Sequence, residues 1–254
     1  MTGVQTCALP IFAGALYLSL DRDLSGTPTG RNGRHPLPER AAWAARVGAL
    51  GITPLTQVVC HDDHGGVYAA RAWWLLRWLG HDAVAVLDGG RAAWHAAGGG
   101  FVTAVSTPLA AAPYPAHARA APYPARAPAM PTVDAATLAA RLGRITLLDA
   151  RAPERFRGDV EPLDPVAGHI PGAVNRFFKD NLGSDGRFKP ADQLRAAFQA
   201  IGRDGEAVVH QCGSGVTACH NLLAMRHAGL DAGALYPGSW SEWCSDPARP
   251  IARS

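Results

Sequence analysis

The residue with the clearest chemistry in this sequence is a cysteine at the end of an apolar run. Ala207-Val208-Val209-His210-Gln211-Cys212-Gly213-Ser214-Gly215-Val216-Thr217-Ala218 reads as a buried strand, a tight loop with two glycines, and a helix beginning near Thr217. Gly213 and Gly215 let the backbone curl so that successive N–H groups point inward as an anion-binding nest. The helix adds the partial positive charge of its N-terminus. In that field Cys212 is expected to be a thiolate, because a free thiol has a pKa of about 8.5 and a helix N-terminus lowers it to about 7 or below. A thiolate there is a nucleophile. The N–H groups of Gly213, Ser214, Gly215, Val216 and Thr217 would hold the anion it forms. The Ser214 hydroxyl can donate into the loop, and Thr217 can do the same or cap the helix.

Two other readings compete. Cys212 could be a small buried hydrophobe at a strand end, the usual fate of a free cysteine, but the Gly-Ser-Gly-Val-Thr that follows it argues for a built loop. A Cys-centred anion loop also serves phosphate-ester hydrolysis, where an Arg closing the loop forks onto the phosphate. Ala218 stands at that position, so tyrosine-phosphatase chemistry is disfavoured.

The elements that must position the loop occur twice. Val58-Val59-Cys60-His61-Asp62, Gly65-Gly66, a helical run from Ala69 to Leu79, a strand-like Ala83 to Leu87 and Trp94 form the first set. Val208 to Cys212, Gly213 and Gly215, a helical run from Thr217 to Ala228, a strand-like Ala234 to Tyr236 and Trp243 form the second. The Val-Val pairs are 150 residues apart and the Trp residues 149 apart. Helices after Pro38 and Pro190, and the pairs Gly14-Ala15 and Gly172-Ala173, extend the correspondence. Short β-branched runs alternating with helical runs predict an α/β fold with a mainly parallel sheet flanked by helices, present in two domains. The expected division is 12–97, a Pro/Ala-rich linker over 98–131 with Ala-Pro-Tyr-Pro-Ala from Ala112 and again from Ala121, and 132–254. Proline at this density predicts an extended linker on the surface.

Composition narrows the class further. The 254 residues are 48% hydrophobic and 18% charged, and the net charge of +3 comes with no Lys/Arg run, so a nucleic-acid partner has no support. No apolar stretch is long enough to span a membrane. Five cysteines without a CxxC pair or a framework suit a reducing, cytoplasmic location. Cys60, His61 and His64 on one short stretch read as loop polarity and not as a metal site.

The residues resemble the tandem-domain rhodanese family of thiosulfate and 3-mercaptopyruvate sulfurtransferases. The likeness rests on Leu147-Leu148-Asp149-Ala150-Arg151, Gly168-His169-Ile170-Pro171-Gly172-Ala173, the Cys212 loop and Tyr236-Pro237-Gly238-Ser239-Trp240-Ser241-Glu242-Trp243. In the first half it rests on Ala69-Ala70-Arg71-Ala72-Trp73-Trp74 and Leu87-Asp88-Gly89-Gly90. The resemblance implies two rhodanese-like domains, of which the second carries the nucleophile. Asp62 stands in the first where Cys212 stands in the second, and Cys60 belongs to the preceding strand. It implies sulfur transfer through a Cys212 persulfide, from a small anionic donor to cyanide, a thiol or a thioredoxin-like protein, with no metal or organic cofactor. It implies that Arg155 binds the donor's anionic end, and that Asp21 and His35 act with Ser214 in a relay. The loop resembles that of the mercaptopyruvate enzymes, but Asp164 occupies the place of their second donor-binding Arg and would repel a carboxylate. A non-catalytic rhodanese-type module for binding or regulation is the alternative. Met1 to Ile11 reads as a translated sequencing adapter, which would leave the first domain truncated.

Overall fold

The structure is a computed structural model that describes residues 10–103, 121–202 and 206–254. The adapter-like segment up to residue 9 and the first Ala-Pro-Tyr-Pro-Ala lie outside these residues.

The first half runs β1 (Pro10–Ile11), α1 (Arg40–Ala49), β2 (Val58–Cys60), α2 (Val67–Trp78), β3 (Val84–Val86), α3 (Gly90–Ala96) and β4 (Val102–Thr103). β2 and β3 pair in parallel, while β1 pairs antiparallel with β4. α2 is largely apolar, and Ala69, Ala70, Trp73, Trp74, Leu75 and Leu76 are buried, so most of its circumference lies in the core.

The second half runs α4 (Ala135–Arg141), β5 (Thr146–Asp149), α5 (Pro153–Arg157), β6 (Val174–Asn175), a 3-10 turn (Phe178–Asn181), α6 (Ala191–Gln199), β7 (Val208–Gln211), α7 (Thr217–His227), β8 (Ala234–Leu235) and α8 (Ser239–Trp243). Its sheet has the order β6-β5-β7-β8 with every pairing parallel. β5 is buried along its whole length, as a central parallel strand covered on both faces must be. Asp134 caps α4 by accepting from the Thr137 N–H at 2.7 Å. α6 buries Leu194 and Phe198, four residues apart on one face.

The halves share a core. α2 packs against α7, and Trp43, Trp74, Leu75, Cys212, Ala218, Cys219 and Leu222 belong to one apolar cluster. The expected surface linker is only partly that. Tyr123, in the second Ala-Pro-Tyr-Pro-Ala, is 3% exposed and meets His81 Nδ1 at 3.0 Å. The Tyr123 N–H bonds the Ala44 carbonyl and the Arg126 N–H bonds that of Leu79, so this stretch is fastened to the first half. Proline leaves the neighbouring amides without ladder partners, and carbonyls of α1 and of the C-cap of α2 take them up.

Candidate active site

β7 delivers Cys212 to the carboxyl end of the second sheet, and α7 starts five residues later. Residues 212–216 are all buried, and Thr217 is partly exposed. Gly215 has φ +76°, and its N–H lies 3.1 Å from Cys212 Sγ. A Cβ there would approach the Pro237 carbonyl oxygen to 2.4 Å, so conformation and space both demand glycine. Gly213 is different from the sequence expectation. Its φ is not left-handed; a Cβ would instead meet Arg34 Nη2 at 2.9 Å and Arg155 Nη1 at 3.4 Å. The second glycine curls the loop, whereas the first leaves room for guanidinium groups. The amides of Gly213, Ser214, Val216 and Thr217 have no acceptor among the described residues, which leaves them for an anion at the sulfur.

α8 holds the loop from behind. The Trp240 and Ser241 N–H groups donate to the carbonyls of Cys212 and Gly213 at 2.9 and 3.0 Å. Ser239 Oγ accepts from the Cys212 N–H at 3.1 Å and donates to the Tyr236 carbonyl at 3.0 Å. Ser239 reaches that position in a left-handed conformation, φ 54°, a strain that a fully buried site can hold. Thr217 does not cap α7: the N-cap residue is Val216, which makes no side-chain bond.

The residues expected to form a relay meet across the two halves. Ser214 Oγ lies 2.7 Å from His35 Nδ1, and His35 Nε2 lies 3.3 Å from Asp21 Oδ1. Burial pulls the His35 pKa below its ordinary value, against the opposing pull of Asp21. A neutral imidazole with its proton on Nε2, facing the carboxylate, accepts the Ser214 hydroxyl at Nδ1.

Arg155 faces the loop from α5. It donates to Glu161 Oε1 at 2.6 Å and Asp164 Oδ2 at 3.3 Å. Asp164 also pairs with Arg34 of the first half. The expectation that Asp164 repels an incoming carboxylate is therefore corrected, since its charge is taken by two guanidinium groups.

Sequence reasoning missed Arg71 as a site residue. Its side chain, fully buried in α2, donates to the carbonyls of Gly215 (3.1 Å), His35 (3.1 Å) and Leu24 (3.2 Å). No carboxylate lies within 4 Å of it among the described residues. Burial lowers its pKa, and the Cys219 and Cys212 sulfurs oppose that shift. One cation thus ties the His35 segment to the Cys212 loop and places positive charge near the Cys212 sulfur. The available signal was an Arg in the middle of a largely apolar helical run, flanked on both sides by alanines.

The equivalent loop of the first half is filled from within. Asp62 Oδ1 accepts the N–H groups of His64 and Gly66 at 2.7 and 2.9 Å, and Oδ2 those of Tyr68 and Ala69 at 2.7 and 2.8 Å. A carboxylate occupies this nest permanently, with four charge-assisted bonds. Cys60 is a strand residue, and burial raises its pKa to about 12. His61 packs on Phe12 and His64 on Tyr68.

The arrangement brings together a buried cysteine sulfur, amides without acceptors among the described residues, a Ser214–His35–Asp21 chain and two arginines at the mouth. Comparisons with known proteins identify the family. The profile of the Rhodanese-like domain matches residues 13–97 and 134–246. The "Probable 3-mercaptopyruvate sulfurtransferase" of Pseudomonas aeruginosa is 52% identical over 245 residues, covering 94% of this chain and 83% of the relative. The bovine (Bos taurus) thiosulfate sulfurtransferase is 37% identical over 213 residues, covering 82% and 69%. The crystal structure of SseA from Escherichia coli, a 3-mercaptopyruvate sulfotransferase, superposes with TM-score 0.71 at 27% identity, covering 91% of this chain and 83% of that one. With two such domains, and an identity this high over nearly its full length, the chain belongs to the rhodanese family and is a sulfurtransferase of that type.

Proposed function

We propose that Cys212 carries sulfur as a persulfide, taking it from thiosulfate or 3-mercaptopyruvate and passing it to a thiophilic acceptor. The single observation that supports this most is the Cys212 sulfur against the Gly215 N–H, in a loop whose other amides have no acceptor. With thiosulfate, the thiolate attacks the outer sulfur, the S–S bond breaks, and sulfite leaves with the electron pair. With 3-mercaptopyruvate it attacks the thiol sulfur, and the C–S bond breaks towards an enolate that takes a proton to become pyruvate. Ser214, backed by His35 and Asp21, is suited to take the proton that the donor's thiol gives up as the persulfide anion forms and to return it to the enolate carbon. The free amides hold the persulfide anion, and Arg155 at the mouth binds the donor's anionic group.

In the second half-reaction cyanide, a small thiol or a reduced thioredoxin-like protein attacks the outer sulfur, and Cys212 leaves as thiolate. The cysteines Cys60, Cys212, Cys219 and Cys244 are free thiols, which fits our proposal of a reducing, cytoplasmic setting. No helix among the described residues is long and apolar enough to cross a membrane.

The test is incubation with each donor followed by mass measurement of the intact chain and of the Cys212 peptide. The wild type should gain one sulfur atom on Cys212, and Cys212→Ser should gain none and lose transfer to cyanide from every donor. Sulfur found on Cys60 instead, or more than a few per cent of activity left in Cys212→Ser, overturns the reading.

A further inference from the structure

We propose that Arg34, a residue of the first domain, is a second donor-binding residue, and that with Arg155 it selects a monoanionic carboxylate donor over a dianion. The inference rests on the Cys212 reading above and deepens it.

The bonding of the two guanidinium groups carries the argument. Arg34 spends Nη1 on Asp164, and its Nη2 has no acceptor among the described residues. Arg155 spends Nε on Glu161 at 3.2 Å and Nη2 on Glu161 and Asp164, and its Nη1 likewise has no acceptor there. Those two unspent nitrogens approach one point, the Cβ position of Gly213, at 2.9 and 3.4 Å. Gly213 directly follows the nucleophile. Both side chains are partly open to solvent, at 29% and 17%, so they line the way in to a buried sulfur. The Arg34 backbone is also fixed, because its N–H donates to Ser241 Oγ at 3.0 Å. The preceding Gly33, φ +85°, lies so close to Gly238 that a Cβ would meet the carbonyl oxygen at 2.7 Å. A mobile surface arginine would be held by neither.

Charge decides what these nitrogens accept. Glu161 and Asp164, each 3% exposed, balance Arg155 and Arg34 before any donor arrives. A planar carboxylate with one charge can take an N–H from each fork. A dianion brings two charges to this balanced mouth where the carboxylate brings one, at a greater cost in a partly desolvated setting. The donor class is therefore a short thiol-bearing carboxylate, of which 3-mercaptopyruvate is the probe.

The experiment uses the full chain and follows sulfur arriving on Cys212 by mass, as a function of donor concentration. Arg34→Gln should raise half-saturating 3-mercaptopyruvate about 10- to 100-fold, the loss expected for one hydrogen bond to a charged group. Half-saturating thiosulfate should move by less than about 3-fold. Arg34→Lys keeps the charge without the fork and should show a smaller loss with the same selectivity; it carries the test if the Gln variant unfolds. An equal shift for both donors, no shift, or a wild type that favours thiosulfate overturns the proposal. A wild type that takes no sulfur on Cys212 from either donor removes the reading beneath it as well.

Discussion

Ser214 Oγ and His35 Nδ1 are 2.7 Å apart although 179 residues separate them in the chain. The bond crosses from the second domain to the first, whose own loop is filled by Asp62. Arg71 and Arg34 repeat the pattern, since each reaches from the first domain to the Cys212 loop or its mouth.

Protonation of His35 should silence this relay. The residue accepts from Ser214 only as neutral imidazole, and burial sets its pKa below the ordinary 6.5. The neutral form therefore dominates at pH 7, and turnover of 3-mercaptopyruvate should fall as pH drops through that lowered pKa. His35→Ala should cost about 100-fold with this donor and remove the acid limb. Thiosulfate should be less affected, because sulfite leaves without needing a proton. Paired pH–rate profiles check this, and an acid limb that survives in His35→Ala rejects the relay.

Arg71 should matter for stability and geometry together. Arg71→Met leaves the carbonyls of Gly215, His35 and Leu24 without their buried donor. At about 1–3 kcal/mol for each unsatisfied group, a loss of about 3 kcal/mol or more is expected. That corresponds to a fall of roughly 6 °C or more in Tm for a chain of this size. Arg71→Lys should recover little, since an ammonium cannot fork to carbonyls on separate segments. Thermal unfolding of the three proteins measures it, and a Lys variant as stable as wild type would reduce Arg71 to a point charge.

Much of this was legible along the chain, where the signals are local. The strand–Cys–Gly-loop–helix order around Cys212 appears as β7 and α7 within a residue or two, and the Val58 repeat appears as β2 and α2. Local patterning cannot show which distant charges meet. Asp164 looked hostile to a donor because its partner Arg34 lies 130 residues away. Arg71 looked like one polar position in an apolar helix, because the carbonyls it serves come from three other segments. Ser239 was visible only as part of a motif; its left-handed φ arises from the closure of α8 against Cys212. Gly213 and Gly215 looked alike, and only the packing around each separates a conformational glycine from a spatial one.

His220 should make the chain acid-sensitive well away from the sulfur. Its Nε2 lies 3.0 Å from the Gly65 carbonyl of the first domain, and its Nδ1 lies 3.2 Å from Asn181 Nδ2. The pattern fits a neutral ring that donates at Nε2 and accepts at Nδ1. Phe188 stacks on it at 4.5 Å, and burial lowers its pKa to about 4. The unfolded chain takes up a proton on this residue near pH 6.5, whereas the folded chain resists until about pH 4. Stability should thus be complete above the unfolded pKa, fall as pH drops through that window, and level off below it. Each such histidine adds a slope of about one proton, or ~1.4 kcal/mol per pH unit. His210, also lowered to about 4 by burial, should contribute a second. His220→Gln should therefore remove about one proton's share of the acid slope while preserving one of the two hydrogen bonds. Urea unfolding between pH 7 and pH 4.5 reads this directly. An unchanged slope in His220→Gln would mean that the ring is already charged in the fold, contrary to the bond it shares with Asn181.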